Sequence, residues 1–172
     1  MLDLGVGTGE TSQRCLKVHP AARAVCLDES QDKLDAAVRV LGPRAELQLG
    51  RFQDRLPEGP FELVVSAFAL HHVEGTLQAD LFRRVAERLS EGGRFVLADV
   101  VEPHAPVSDP TPLDRVHSVV SRTDELLDVL RLTGFQPEVQ WQEHDLVVIA
   151  ASVQEPSAPF EVTSPNGPRS EP

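Results

Sequence analysis

The chain has 172 residues, a formal net charge of −11 and 41% hydrophobic residues. That length suits one domain with a sizeable core, and the negative charge disfavours a nucleic-acid partner, whose phosphates it repels. No apolar run approaches the roughly 20 residues of a membrane span and no charged-then-apolar leader precedes the first strand, so no membrane contact is expected; Cys15 and Cys26 read as small packed side chains in a reducing compartment, and the expected location is cytoplasmic.

Leu2-Asp3-Leu4 reads as the end of a buried strand. Gly5, Gly7 and Gly9 then form a turn, and Glu10 to about Val18 a helix. Alternate glycines let a backbone turn tightly and a ligand approach closely. The free N–H groups of the following helix suit a negatively charged or polar ligand group. The dinucleotide fingerprint G-x-G-x-x-G is not met, because Glu10 stands where its third glycine belongs; this weighs against a nicotinamide dehydrogenase. His19-Pro20 ends the helix. Ala24 to Leu27 reads as a second buried parallel strand that ends in Asp28-Glu29. An acid about 20 residues beyond a glycine loop is placed to accept hydrogen bonds from a ribose. Asp28 is the candidate, and Glu29 is the neighbour that could exchange roles with it.

Ser30 reads as the N-cap of a helix with Leu34, Ala37, Val38 and Leu41 on its apolar face, stopped by Gly42-Pro43. Ala45 to Leu49 alternates as a third strand, and a turn from Gly50 to Asp54 follows. Phe61 to Ala67 reads as a central fourth strand. Ligands of open α/β sheets sit at such strand ends, where the strand order reverses. His71 and His72 come just beyond. A neutral imidazole could take a proton from a substrate hydroxyl, although adjacent side chains point different ways and only one is expected to face the site. Two neighbouring histidines do not make a metal coordination set, and no metal is expected. Thr76 to about Leu89 reads as a helix with Leu77, Leu81, Phe82, Val85 and Leu89 inward, and with Arg83, Arg84, Glu87 and Arg88 on a solvated face. Ser90 to Gly93 reads as a turn, and Arg94 to Val100 as the fifth strand. The proline-rich stretch from Val101 to Leu113 reads as a loop that can wall a substrate pocket, with Asp99, Glu102 and His104 along it. Ser121 to Asp124 fits a capping box, opening a helix that Gly134 ends. Gln136 to Gln142 and Asp145 to Ala151 read as a closing hairpin. The domain is expected to span residues 1–151, and residues 152–172, rich in proline and serine, to form a disordered tail.

Several of these landmarks, in this order, resemble the class I S-adenosylmethionine (SAM)-dependent methyltransferases. Asp3 to Gly9 resembles motif I, D/E-x-G-x-G-x-G, and Asp28 stands where motif II carries an acid. Phe61 to His72 resembles F-D-x-V-x-x-x-x-x-L-H-H, Leu89 to Leu97 matches L-x-x-G-G-x-F-V-L, and Leu130 to Phe135 resembles L-x-x-A-G-F. The resemblance implies an α/β, Rossmann-like, doubly wound seven-stranded sheet of order 3-2-1-4-5-7-6 with strand 7 antiparallel. It implies SAM as cofactor and methyl transfer to a small-molecule acceptor, and within the superfamily the chain looks most like the ubiquinone/menaquinone type. It also implies cofactor contacts from Asp3, Gly5, Gly7, Gly9, Asp28, Glu29, Phe52, Asp54 and Ser66, a pocket lining that includes Ala67 and Phe68, and His71 or His72 as the catalytic base. In many relatives the turn after strand 3 reads Gly-Asp-x, with the acid on the adenine edge. Here Arg51 holds that place, so Asp54, or backbone near Phe52, is expected to substitute. Relatives carry helices before the first strand, whereas here the strand begins at Met1. The expectation is therefore a truncated chain or a mis-assigned start, with a non-catalytic SAM-binding or interaction domain as the alternative function.

Overall fold

The structure is a computed structural model that describes residues 1–73, 75–113 and 119–153. The chain alternates strand and helix through its first half: β1 (Leu2–Leu4), α1 (Glu10–Val18), β2 (Ala24–Asp28), α2 (Gln31–Leu41), β3 (Ala45–Leu49) and β4 (Phe61–Ala67). A 3-10 turn, Leu70–His72, leads into α3 (Gly75–Arg88); β5 (Leu89–Val100), α4 (Thr123–Leu132), β6 (Phe135–Glu143) and β7 (Leu146–Val153) complete the fold. The seven strands lie in the order β3-β2-β1-β4-β5-β7-β6. Pairing is parallel from β3 to β5, and β7 runs antiparallel to both β5 and β6. This is the expected sheet.

The order follows from the sequence pattern. A strand–helix–strand unit returns parallel beside its first strand only by a right-handed crossover. Successive units therefore wind outward on one side, β1 to β2 to β3, and the chain must then return to the middle to start β4 on the other side of β1. That reversal leaves a crevice at the C-terminal ends of β1 and β4. The two faces bury separate cores. Leu16 of α1 and Leu34, Ala37 and Leu41 of α2 pack on Val6, Ala24 and Cys26. Leu81, Phe82 and Val85 of α3 and Leu126 and Leu130 of α4 pack on the other face against Leu4, Val64, Phe95, Phe135 and Ile149.

Several local expectations shift. Val38 and Leu77 are 57% and 49% exposed, because the buried stripes run 34-37-41 and 78-81-82-85 and leave these two a step to the side. β5 begins at Leu89 rather than Arg94, since Leu89 already pairs with Phe61 across a bulge. The α4 cap lies at Arg122 rather than Ser121, because it is the Glu125 carboxylate that accepts the Arg122 N–H, at 3.0 Å. Ser152 and Val153 belong to β7, paired with β5 and β6, so the sheet continues two residues past the expected boundary; the rest of the expected tail lies outside the described residues. Among the described residues no helix is long and apolar enough to cross a membrane.

Candidate functional site

A cavity runs along the C-terminal ends of β3, β2, β1 and β4 and encloses about 470 Å³ of empty space, part of it open to solvent. Gly50 to Gln53 line it after β3, Asp28, Glu29 and Lys33 after β2, Gly5 after β1, and Phe68, Ala69 and His72 after β4.

The glycine turn is held to the end of β2 by backbone. Gly5 N–H and Val6 N–H both donate to the Leu27 carbonyl, at 2.8 and 3.1 Å. Gly5 has φ +78°, and a Cβ there would stand 2.5 Å from Cβ of Ala69, so no other residue fits. Gly7 has φ +55°, and a Cβ there would meet nothing within 4 Å. Gly5 is thus needed for close packing inside the protein, whereas Gly7 faces open space. Gly9 is the N-cap of α1.

Asp28 is 5% exposed and ties this turn to α2. Its Oδ2 accepts Gly7 N–H at 2.8 Å and its Oδ1 accepts Ser30 N–H at 3.0 Å. A carboxylate has about four acceptor positions, so Asp28 keeps capacity for a ligand after both bonds. Glu29 lies beside it, exposed, with its carboxylate 3.6 Å from Arg51 Nε. Asp3 takes a different place. It is 1% exposed, it accepts the Ser12 hydroxyl at 2.6 Å, and it does not line the cavity. Burial pushes its carboxyl up to about 6, against the Ser12 hydrogen bond that lowers it, and the charge of Asp28 raises it further. Asp3 therefore anchors α1 under the turn. Ser66 is likewise internal and donates to the Leu4 carbonyl at 3.0 Å, joining β4 to β1.

Phe52 and Asp54 separate. Phe52 is buried and lines the cavity, while Asp54 lines a wider groove beside β3 together with Val25, Leu27 and Gln48. The turn is fixed from α3: the Arg84 guanidinium donates to the carbonyls of Phe52 (3.0 Å), Gln53 (3.2 Å) and Asp54 (3.3 Å). The sequence pattern puts Arg84 on a solvated face. Besides Asp80 one turn back, at 2.8 Å, its partners are bare carbonyls some 30 residues away, which no helical periodicity registers. Lys33 and Gln53 also escape the sequence reading, since neither falls in a motif.

The histidines divide as neighbours must. His71 is 7% exposed, with Nδ1 2.6 Å from Oδ1 of Asp99. Asp99 also accepts the backbone N–H groups of Leu70, His71 and Val100, at 2.8, 3.1 and 2.8 Å. A carboxylate only accepts, so His71 Nδ1 is the donor to Asp99. His72 is the one that lines the cavity, with its ring centroid 4.1 Å from that of His71. Beyond β5 the proline-rich loop is pinned at both ends: Val101 N–H donates to the Asp145 carbonyl, and Asp145 Oδ2 accepts Thr111 N–H at 2.7 Å. Glu102 and His104 are exposed.

A family model described as a methyltransferase domain matches residues 1–93. An uncharacterised methyltransferase of Geobacillus thermodenitrificans is 28% identical over 100 residues, 58% of this chain and 46% of that protein. The ribosomal protein L11 methyltransferase of Thermus thermophilus is 31% identical over 108 residues, 62% of this chain and 41% of that protein. The chain thus spans about half the length of the curated relatives it matches. Among solved structures, the DhpI–SAH complex superposes with TM-score 0.75 at 21% identity, covering 89% of this chain and 76% of that one. An S-adenosylmethionine-dependent methyltransferase of Mesorhizobium loti superposes with TM-score 0.69 at 25% identity, covering 87% of this chain and 88% of that one.

Proposed function

The chain belongs to the methyltransferase domain family, and we propose from that premise that it binds SAM across the four strand ends and transfers its methyl group to a small molecule in the cytoplasm. The observation that carries the reading is Asp28: a carboxylate already held by Gly7 and Ser30 N–H groups, at the cavity wall, with acceptor positions to spare.

The lining fits SAM part by part. Asp28 and Glu29 offer acceptors to a ribose diol. Phe52 gives an apolar wall for a base next to Gln53, whose amide both donates and accepts. The open space at Gly7, ahead of a nine-residue helix whose glycine N-cap supplies no side-chain cap, suits an amino-acid carboxylate. When bound, SAM supplies a methyl group already activated on a sulfonium, so the protein's task is alignment and exclusion of water. His72 lines the β4 end and is the group placed to take a proton from an O–H or N–H acceptor. His71, oriented by Asp99, holds the turn that carries it. The free thiols Cys15 and Cys26 suit a reducing compartment.

The test is transfer of labelled methyl from SAM to a metabolite extract by the 172-residue chain. Labelled product supports the proposal. Binding of SAM with no transfer to any extract favours a SAM-binding domain without catalysis.

A further inference from the structure

β3 is the outermost strand on its side of the sheet, and among the described residues β2 is the only strand paired with it. Gly50 N–H donates to the Asp28 carbonyl at 2.9 Å. Alternate residues of a strand turn their N–H and C=O groups to the same side. Glu46 and Gln48 therefore bond to β2 as Gly50 does, and Ala45, Leu47 and Leu49 turn theirs to the open edge. The Ala45 N–H is taken by the Gly42 carbonyl, which leaves the Ala45 carbonyl and both groups of Leu47 and Leu49. Such edges are ordinarily blunted by a lysine, a proline or a bulge. β3 carries none of these: it reads Ala-Glu-Leu-Gln-Leu, and its register with β2 runs without a shift. Its side chains sort by face. Ala45 and Leu47 pack under α2, and Leu49, on that side by alternation, is 60% exposed. Ala37 and Leu41 of α2 lie against Gly9, so the exposed Val38 is on the flank away from α1, above the same edge. Glu46 and Gln48 face the groove on the other side, where Gln48 Nε2 donates to the Glu46 carboxylate at 2.8 Å.

We propose that β3 pairs antiparallel with β3 of a second copy of this chain, about a twofold axis at Leu47, and joins the two sheets edge to edge. The strand is complementary to itself in that register, as a twofold interface requires. Leu47 exchanges both backbone bonds with Leu47 of the second copy, and Leu49 N–H donates to the Ala45 carbonyl across the axis. On the α2 face, Leu49 covers Ala45 of the second copy. On the groove face, Glu46 stands opposite Gln48, so a carboxylate meets an amide on either side of the axis. A register centred on Glu46 would instead set two carboxylates face to face. The net charge of −11 opposes association. Salt confines that repulsion to about 8 Å at physiological ionic strength, and within the strand Glu46 is the one charged residue. The strands of the two copies run in opposite directions, so the two cavities open at opposite ends of the joined sheet.

The test is sedimentation equilibrium of the 172-residue chain from about 1 to about 200 µM. The expected result is a monomer–dimer equilibrium with no larger species, because the pairing uses up the β3 edge. Gln48→Glu sets a second carboxylate opposite Glu46 on either side of the axis and weakens the dimer about tenfold. Adding Glu46→Lys brings opposite charges face to face and restores the affinity to within about threefold of wild type. Leu49→Pro removes an edge donor without taking a bond from β2, and leaves the chain monomeric. A monomeric wild type, a dimer that Gln48→Glu leaves unchanged, no recovery in the double variant, or a folded Leu49→Pro that still dimerises would each overturn the proposal. If Leu49→Pro does not fold, the charge series decides alone. Calorimetry with S-adenosylhomocysteine (SAH) separates this inference from the methyl-transfer reading. A dimer that gives no heat with SAH sinks that reading alone, and a strictly monomeric chain that binds SAH sinks this inference alone.

Discussion

The two ends of the cavity are built by different means. After β1 and β2, the wall is backbone held locally: the Leu27 carbonyl accepts the Gly5 and Val6 N–H groups, and the adjoining Asp28 carboxylate accepts those of Gly7 and Ser30. After β4, the wall is held by side chains brought from elsewhere, with Asp99 of β5 gathering Leu70, His71 and Val100. The first arrangement fixes a shape that accepts one kind of ligand. The second leaves the exposed side chains free to differ, as function-bearing loops on a shared scaffold do.

Gly5→Ala should have the largest effect, because Gly5 is where the two ends touch. The new Cβ would stand 2.5 Å from Ala69 Cβ, and φ +78° disfavours it as well. The expected loss is about 2–4 kcal/mol in urea unfolding, with SAH binding abolished. A stable variant that still binds SAH would break the comparison, since the ends would then be independent.

Asp99→Asn sharpens it from the β4 side. An amide presents one oxygen and one NH2 to four donors, so at least one donor is orphaned whichever way the group turns. The expected cost is about 1–3 kcal/mol of stability, with acceptor turnover reduced about tenfold or more and SAH affinity within about threefold of wild type. A fall in SAH affinity as large as the fall in turnover would show that the ends are one unit.

Asp3→Asn probes the β1 side through pH. Burial holds the folded Asp3 carboxyl near 6, above its unfolded value near 3.8. The folded state therefore binds this proton more tightly than the unfolded chain. The ionised group costs stability above about pH 6; the cost fades as pH falls through that value and is gone below the unfolded one. Wild type should gain stability from this group between pH 7 and pH 4, by on the order of 2 kcal/mol, and Asp3→Asn should lack that gain. Parallel stability profiles for the two proteins would contradict the burial of Asp3.

The same contrast explains what the sequence discloses. Gly5, Gly7, Asp28 and the strand order are legible because each reflects a local backbone demand: a positive φ, a strand end, or a helix that must return to the sheet. Asp3 and Ser66 carry the right motif positions but turn inward, since a motif records residue type and spacing and not which neighbour takes the hydrogen bond. Asp54 keeps its place in the chain yet faces the β3 groove, because Arg84 dictates the course of the 52–54 backbone. The Asp99–His71 pair and the Arg84 clamp join residues about 30 positions apart. Only the three-dimensional packing of β5 against β4, and of α3 against the β3 turn, brings them together.

The central claim is that the four strand ends form a SAM site read by Asp28 and not by Asp54. Calorimetry with SAH tests it most directly, on the wild-type chain and on Asp28→Ala and Asp54→Ala. The account predicts one site per chain, an affinity at least about tenfold weaker in Asp28→Ala, and an affinity within about twofold of wild type in Asp54→Ala. No heat with wild type, or a loss in Asp54→Ala equal to that in Asp28→Ala, would contradict it.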